Sequence, residues 1–370
     1  MAHTLFLWSP QFCHYDLGPS HPLKPERLEL THALISAYGL LSQEGVACES
    51  PSPASPEDLL LVHSRDYIET VRALDKGIWV SNLSAYGLGT SDNPVFEGIY
   101  EASILYTGAS LWAAEAVFRG EAEVAFNIAG GLHHAHRSRA AGFCIFNDPA
   151  LAIAWLLRES DEAARILYLD IDAHHGDGVQ EAFYDDPRVL TISIHESGRT
   201  LFPGTGFVED IGTGEGTGFS VNLPLAPFTD DETYLWAFGE IVPPLVEAFR
   251  PDFFLSQLGV DAHFWDPLTH LCLTTRAYEE VFRQMCKLAG PRWIAFGGGG
   301  YSLEVVPRAW TLAFANMLGE DLPDEIPGGG GRLRDETGPS LQAEEVRFAR
   351  DFASRSVEQI RQLIFSYHGL

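Results

Sequence analysis

The feature that most constrains this chain is a repeated handover from a short apolar run to a cluster of glycines and titratable residues, followed by a longer helical stretch. The clearest runs are Val124–Ile128, Ile166–Ile171, Val189–Ile194, Phe253–Leu258 and Trp293–Phe296. Each is apolar along most of its length instead of alternating with polar residues, which predicts strands buried on both faces, as in a parallel sheet. Helices are expected between them at Pro149–Leu157, Thr275–Leu288 and Thr229–Phe249, the last broken or kinked at Pro243-Pro244. A closing helix is expected over Gln342–Ile364, where Val346, Ala349, Ala353, Val357, Ile360 and Ile364 fall on one stripe at helical spacing. Strands alternating with helices give an α/β fold, a parallel sheet covered on both faces. The 370 residues are 46% hydrophobic, enough for a large core, and show no internal repeat or low-complexity linker. One domain over residues 1–370 is therefore expected.

The ends of the strands are more informative than the strands. The first run leads into Gly130-Gly131-Leu132-His133-His134, and the second into Asp172-Ala173-His174-His175-Gly176-Asp177. The third ends at His195, the fourth at Gly259-Val260-Asp261, and the fifth at Gly297–Gly300 and Tyr301. Ligand sites of open α/β sheets lie beyond the carboxyl ends of the strands, and all these runs put polar residues there. Two further stretches read as functional loops. Ser81–Pro94 is rich in Gly, Ser and Asn and carries Asp92, and Pro327–Pro339, with Gly328–Gly331, is expected to be a mobile surface segment.

Side-chain chemistry narrows the reading. Alternate residues of an extended strand point the same way, so Asp170, Asp172 and His174 can face one centre. A carboxylate and an imidazole two residues apart can ligate one divalent ion, and Asp261 can supply a third ligand. Three protein ligands and an open position describe a catalytic metal site. Adjacent His133 and His134, after a Gly-Gly turn, can bring two imidazoles to one cleft. Asp170 and Asp177 are natural partners for those rings, and two His–Asp dyads beside a metal suit the acid and base of amide hydrolysis. A phenol after a glycine run, Tyr301, can donate to a developing oxyanion.

Composition excludes several classes. The formal net charge of −27 disfavours direct nucleic acid binding, while an acidic surface can attract basic protein segments. The five cysteines are scattered and never paired as CxxC, which argues for free thiols in a cytoplasm. No apolar stretch is long enough for a membrane helix, and the first residues lack the pattern of a signal peptide.

At this density of motifs the chain resembles a known family. His21-Pro22-Leu23-Lys24-Pro25-Glu26-Arg27, GGLHHA, GFCIFND, LDIDAHHGDG, FPGTG, QLGVDAH and GGGGY are similar, in order and over nearly the whole chain, to the zinc-dependent histone deacetylases. The segment from Val260 to His270 looks most like the bacterial acetoin-utilisation branch. The resemblance implies a single-domain arginase/deacetylase-type fold with an eight-stranded parallel sheet, and a deacetylase acting on acyl-lysine in proteins or peptides. It implies zinc, or iron(II) in its place, at Asp172, His174 and Asp261. It makes His134 the general base, His133 its partner towards the leaving group, and Tyr301 the group that polarises the carbonyl. Gly142, Phe143 and Phe202 would line an acyl-lysine tunnel, with Asp92 holding the substrate backbone at the rim. An inner site for K⁺ or Na⁺ is implied at Ser193 and the carbonyls of Asp170, Asp172, His174 and Ile194. A second is implied near Phe183, Asp186, Val189 and Phe219.

Three rivals remain in the sequence. Binuclear ureohydrolases share the fold but carry DxHxD, and here Gly176 stands where their bridging aspartate would be. An acetylpolyamine or other small acyl-amine hydrolase would use the same chemistry on a different substrate. A catalytically dead scaffold would have lost a ligand, a histidine or the tyrosine, and all are present.

Overall fold

The computed structural model describes residues 4–370. Eight strands form one sheet: β1 Thr4–Leu7, β2 Val46–Glu49, β3 Val124–Asn127, β4 Ile166–Asp170, β5 Val189–Glu196, β6 Ser220–Leu225, β7 Phe253–Gln257 and β8 Trp293–Phe296. Their order is β2-β1-β3-β8-β7-β4-β5-β6, and every pair is parallel. The inner strands are apolar almost throughout because helices cover both faces, as their sequence predicts. The edges obey different rules. At one edge β2 is half exposed, and at the other β6 carries Pro224, whose missing N–H an edge strand tolerates.

The helices are α1 Glu26–Ala37, α2 Pro56–Leu59, α3 Arg65–Asp75, α4 Ile99–Phe118, α5 Asp148–Glu159, α6 Asp177–Ala182, α7 Asp231–Phe249, α8 Thr275–Ala289, α9 Val306–Leu318 and α10 Ala343–Ile364. Several start on side-chain caps that the sequence supplies. Asn147 accepts from Ala150 N at 3.0 Å to open α5, and Asp230 accepts from Thr233 N at 3.0 Å to open α7. Gln342 and Glu345 form a reciprocal capping box that opens α10. The closing helix buries Ala349, Ala353, Val357, Ile360 and Ile364 on one stripe, with Val346 only half buried.

Two expectations need correction. Helix α7 continues through Pro243 and Pro244 instead of breaking there. Its buried face runs on both sides of them, from Tyr234, Phe238 and Ile241 to Leu245, Val246 and Phe249, and that packing outweighs the lost N–H bonds. The segment Pro327–Pro339 is not simply a surface loop. Gly328–Gly331 is exposed, but Leu333 and Asp335 are buried. Asp335 accepts from Arg308 Nη1 at 2.9 Å and from Thr275 N at 2.8 Å, and His263 Nε2 stands 2.8 Å away.

The chain lays down β1–β3 on one side and β4–β6 on the other, then inserts β7 and β8 between β3 and β4. The centre of the sheet is therefore where the winding direction reverses, which opens a crevice at the carboxyl ends of the strands. Trp310 of α9 supports that crevice from below. Its ring is fully buried, its Nε1 donates to Leu258 O at 2.8 Å, and the Arg27 guanidinium lies 5.2 Å from its ring centre. Trp310→Ala is expected to cost about 3–5 kcal/mol, read from the denaturation midpoint at unchanged slope. A loss below about 1 kcal/mol would show that this ring supports nothing.

Candidate active site

Four adjacent central strands, β3, β8, β7 and β4, deliver the candidate residues. After β3 the chain turns sharply, and Asp148 at the start of α5 holds that turn. Its carboxylate accepts from Gly131 N at 3.0 Å, Leu132 N at 2.9 Å and Ser110 Oγ at 2.5 Å. Burial pushes Asp148 up to about 6 against these donors. Asn147 grips the other end of the turn, donating to the carbonyls of His133 and Ala135 at 2.9 Å each.

The turn presents two imidazoles with opposite electrostatics. His133 Nδ1 lies 2.7 Å from Asp170 Oδ2, and His134 Nδ1 lies 2.7 Å from Asp177 Oδ1. The two Nε2 atoms face each other at 3.0 Å, so only one proton fits between them. Burial opposes charge on His133, but Asp170 and Asp172 outweigh it and raise the ring to about 9. Burial and the neighbouring charge of His133 push His134 down to about 4, against the pull of Asp177. Near neutral pH the pair therefore consists of an imidazolium and a neutral imidazole. Tyr168 steadies this arrangement by donating to Asp170 Oδ2 at 2.9 Å.

Beside the pair lie Asp172, His174 and Asp261, all buried, with one ligand atom from each within 4.8 Å of the others. His174 Nδ1 faces Asp261 Oδ2 at 2.8 Å and Asp172 Oδ1 at 3.1 Å. Burial opposes charge on His174, yet the two carboxylates raise it well above the usual histidine range. Burial and the charge of Asp172 raise Asp261 to about 6. Two buried carboxylates around one imidazole make a site that draws in positive charge, and its oxygen and nitrogen donors suit zinc. The outer oxygens are already committed. Asp172 Oδ2 accepts from Gln257 Nε2 at 2.7 Å and Gly299 N at 2.8 Å, and Asp261 Oδ1 accepts from Ala173 N at 2.7 Å. Gly176 carries no carboxylate to bridge a second ion, and a Cβ there would stand 2.4 Å from Asp170 Oδ2.

Tyr301, Phe143 and Leu23 share a cavity of about 30 Å³ with His133, His134 and Asp172. Burial and then Asp261 and Asp172 hold the Tyr301 phenol well above its usual range, so it stays protonated and able to donate. Its backbone N–H donates to Asp266 Oδ2 at 2.8 Å, and Arg27 fixes the glycine run by donating to the carbonyls of Gly298 and Gly300 at 2.7 and 3.0 Å. Phe143 packs edge-on against Tyr301 at 5.7 Å, and Phe202, 44% exposed, packs edge-on against His134 at 5.1 Å. Gly142 lies between these rings, and a Cβ there would stand 2.3 Å from His134 Cδ2. Asp92 is exposed at the rim, and its carbonyl faces His21 Nε2 at 3.3 Å while the His21 ring packs on Phe143 at 4.4 Å. A roomier hollow of about 840 Å³ lies between α1 and α9, but none of the converging carboxylates and imidazoles line it.

The proposed cation positions fall in two places. Asp170 pairs in register with Ser193, so the ends of β4 and β5 bring Asp170, Asp172, His174, Ser193 and Ile194 together, and Ser193 Oγ lies 2.8 Å from His195 Nδ1. Phe183, Asp186, Val189 and Phe219 lie around the turn into β5. Arg188 there clamps the Asp186 carboxylate at 2.6–3.2 Å, and the carbonyls of Phe183, Asp186 and Phe219 already accept backbone N–H groups. Sequence reasoning gave no role to Gln257, Asp148 or Tyr168. Gln257 and Asp148 sit inside the family-like motifs QLGVDAH and GFCIFND, so their signal was present without a partner to explain it. All five cysteines are free, and no helix among the described residues is long and apolar enough to cross a membrane.

Comparison with known proteins agrees with this geometry. Residues 21–317 match the model of the histone deacetylase domain. The chain is 45% identical over 333 residues to the acetoin utilization protein AcuC of Bacillus subtilis, covering 88% of this chain and 85% of that protein. It is 38% identical over 326 residues to AcuC of Staphylococcus xylosus, covering 86% and 84%. Among solved structures, an HDAC homolog from Aquifex aeolicus superposes with a TM-score of 0.84 at 32% identity, covering 96% of this chain and 99% of that one.

The donor set predicts one divalent ion per chain. Metal-stripped protein titrated with zinc should saturate at one equivalent, measured by competition with a chelating dye. Gln257→Ala should weaken zinc roughly 10–100-fold, the usual cost of losing an outer partner, and Asp261→Asn should weaken it further. His134→Ala should leave the affinity unchanged. Saturation at two equivalents, or zinc loss in His134→Ala, would show that the ligand set has been misassigned.

Proposed function

This chain belongs to the histone deacetylase family, and on that premise we propose that it removes acetyl or short acyl groups from lysine side chains of proteins. The observation that carries the mechanism is the pair of oppositely tuned imidazoles, each held by its own carboxylate, beside a buried Asp–His–Asp set. Asp172, His174 and Asp261 would hold zinc, or iron(II) in its place, which supplies Lewis-acid polarisation of the acyl carbonyl and acidifies water at the site.

The chain's own groups perform the proton transfers. Neutral His134 accepts a proton from the attacking water as its oxygen bonds to the carbonyl carbon. Charged His133 gives a proton to the nitrogen as the C–N bond breaks, so a carboxylic acid and a free amine leave. The proton gained by His134 then passes to His133 across the 3.0 Å between their Nε2 atoms, which restores the charged and neutral pair for the next turnover. The Tyr301 hydroxyl donates to the oxygen on which charge builds. Phe143 and Phe202 flank the acyl-lysine stem, and exposed Asp92 accepts from the substrate backbone. A monovalent cation at Ser193 and the neighbouring carbonyls would brace the β4–β5 end behind the ligands, with the set near Phe183 as a second such place.

The reading is tested with zinc-loaded enzyme on acetyl-lysine peptides and acetylpolyamines in parallel. Peptides should be turned over with the higher kcat/KM, and a clear preference for polyamines would replace protein lysine with small amines as the substrate. Tyr301→Phe should lower kcat roughly 10²–10³-fold with zinc content and fold unchanged. Near-normal turnover in that variant would remove the phenol from the mechanism.

A further inference from the structure

The carboxyl ends of β5 and β6 carry a second concavity on the same face of the sheet as the site. Ser197 N donates to Leu225 O at 2.8 Å, which ties the turn after β5 to the end of β6. A hollow of about 430 Å³ opens there, lined by Thr200, Ala226, Pro227 and Phe228 and by Phe348 and Phe352 of α10. Its aromatic rings reach water: Phe348 is 56% exposed and Phe228 is 40% exposed.

The backbone at Phe228 marks this hollow as built. Among the described residues two aromatic side chains stand on left-handed backbone, Phe143 at φ 70° and Phe228 at φ 66°. That conformation is unfavourable for a bulky residue and persists only where the surroundings impose it. Phe228 N donates to His270 O at 2.7 Å, Cys272 N donates to Thr229 O at 2.9 Å, and Thr229 Oγ1 donates to Ala226 O at 2.7 Å. These bonds hold the strained turn, yet the ring it carries is not withdrawn into the core. Phe143 has the same backbone and stands in the active-site cavity beside Tyr301.

The hollow is one turn away from the mouth of the site. Thr200 N and Leu201 N both donate to Ser197 O, at 2.9 and 3.1 Å, and Phe202 follows at once. Two residues separate Thr200 from Phe202, so their Cα atoms lie at most about 7 Å apart. Two or three residues of an extended substrate span about 7–11 Å, which matches that step. We propose that the hollow takes an apolar, best an aromatic, side chain of the substrate two or three residues from the acyl-lysine, which rests on the reading of this chain as a protein-lysine deacylase. Glu344 and Glu345 give its α10 wall negative charge, and the Arg199 guanidinium is drawn to the Phe207 ring, 6.0 Å from its centre. The chemistry thus selects an apolar residue with basic neighbours, in keeping with the net charge of −27. The ten lining residues are too few for stable pairing of two copies, which takes about 20–30 residues a side.

The test uses the full zinc-loaded chain and acetyl-lysine peptides in which phenylalanine replaces glycine at each of the three positions on either side. Phenylalanine two or three residues away on one side should raise kcat/KM roughly tenfold, the scale of an apolar group entering a pocket. The gain should appear in KM with kcat unchanged. Phe348→Ser, at an exposed position, and Phe228→Gly, which suits the left-handed backbone, should each remove most of it. Acetyl-lysine amide has no flanking residue, and both variants should turn it over at the parent rate. Equal turnover for every placement, or a preference that survives in both variants, overturns the proposal. So does a parent dimer in sedimentation that Phe348→Ser dissociates, because the hollow then belongs to a second copy. Labelled peptides with a methyl ketone in place of the acetamide cannot be cleaved, and their fluorescence anisotropy reports binding alone. If phenylalanine tightens their binding to the parent but not to Phe348→Ser while no acetyl-lysine peptide is turned over, the hollow stands as a peptide subsite and the deacylase reading falls. If phenylalanine leaves that binding unchanged, the hollow takes no substrate residue, whatever the enzyme hydrolyses.

Discussion

Buried charge is the constraint on which the rest of this structure depends. Asp170, Asp172, His174 and Asp261 are all withdrawn from water, and a carboxylate in such a place is costly unless paired and hydrogen-bonded. The surroundings supply what each one needs. Asp170 is met by His133 and Tyr168, Asp172 by Gln257 and Gly299, and Asp261 by Ala173 and His174. The glycines near these groups follow from the same crowding. A Cβ at Gly259 or Gly299 would stand 2.2 or 2.4 Å from the oxygens of Asp172 or Asp261.

The sheet topology turns that constraint into a site. Inserting β7 and β8 between β3 and β4 puts four loop-bearing strand ends side by side. Each loop contributes what its neighbours lack: the imidazole pair after β3, Asp172 and His174 after β4, Asp261 after β7, and the glycine run with its phenol after β8. Asp148 and Arg27 belong to helices, yet they fix the backbone of two of these loops. The chemistry at the strand ends thus depends on how the helices are docked.

The electrostatics divide labour between residues of the same type. His133 and His134 are adjacent in sequence and nearly equal in burial, but their environments move them in opposite directions, to about 9 and about 4. The difference lies in which carboxylates face each ring. His133 sees Asp170 and Asp172, whereas His134 sees Asp177 and the positive charge of its own neighbour. A pair of unlike imidazoles is what acid–base chemistry near neutral pH requires.

Much of this was legible from sequence. The five apolar runs became β3, β4, β5, β7 and β8 with ends displaced by at most two residues, and the polar residues after β3, β4, β7 and β8 lie together, while His195 of β5 turns to Ser193 and Gly206. The family motifs carried the fold and the Asp172–His174–Asp261 group, although Asp172 and His174 lie in the bend after β4 and not on the strand, and Asp170 turns to His133. Strands β1, β2 and β6 were missed, since TLFL and VACE are too short to show a period and Pro224 argues against a strand unless it lies at an edge. The unbroken α7 and the anchored Asp335 were likewise invisible, because each depends on burial against distant segments. The sequence by itself determined which groups could ligate, accept or donate, because those are properties of side chains and local spacing. Only the tertiary structure decided which imidazole is charged, because proton affinity follows from the charges and burial around a ring, and distant parts of the chain supply both.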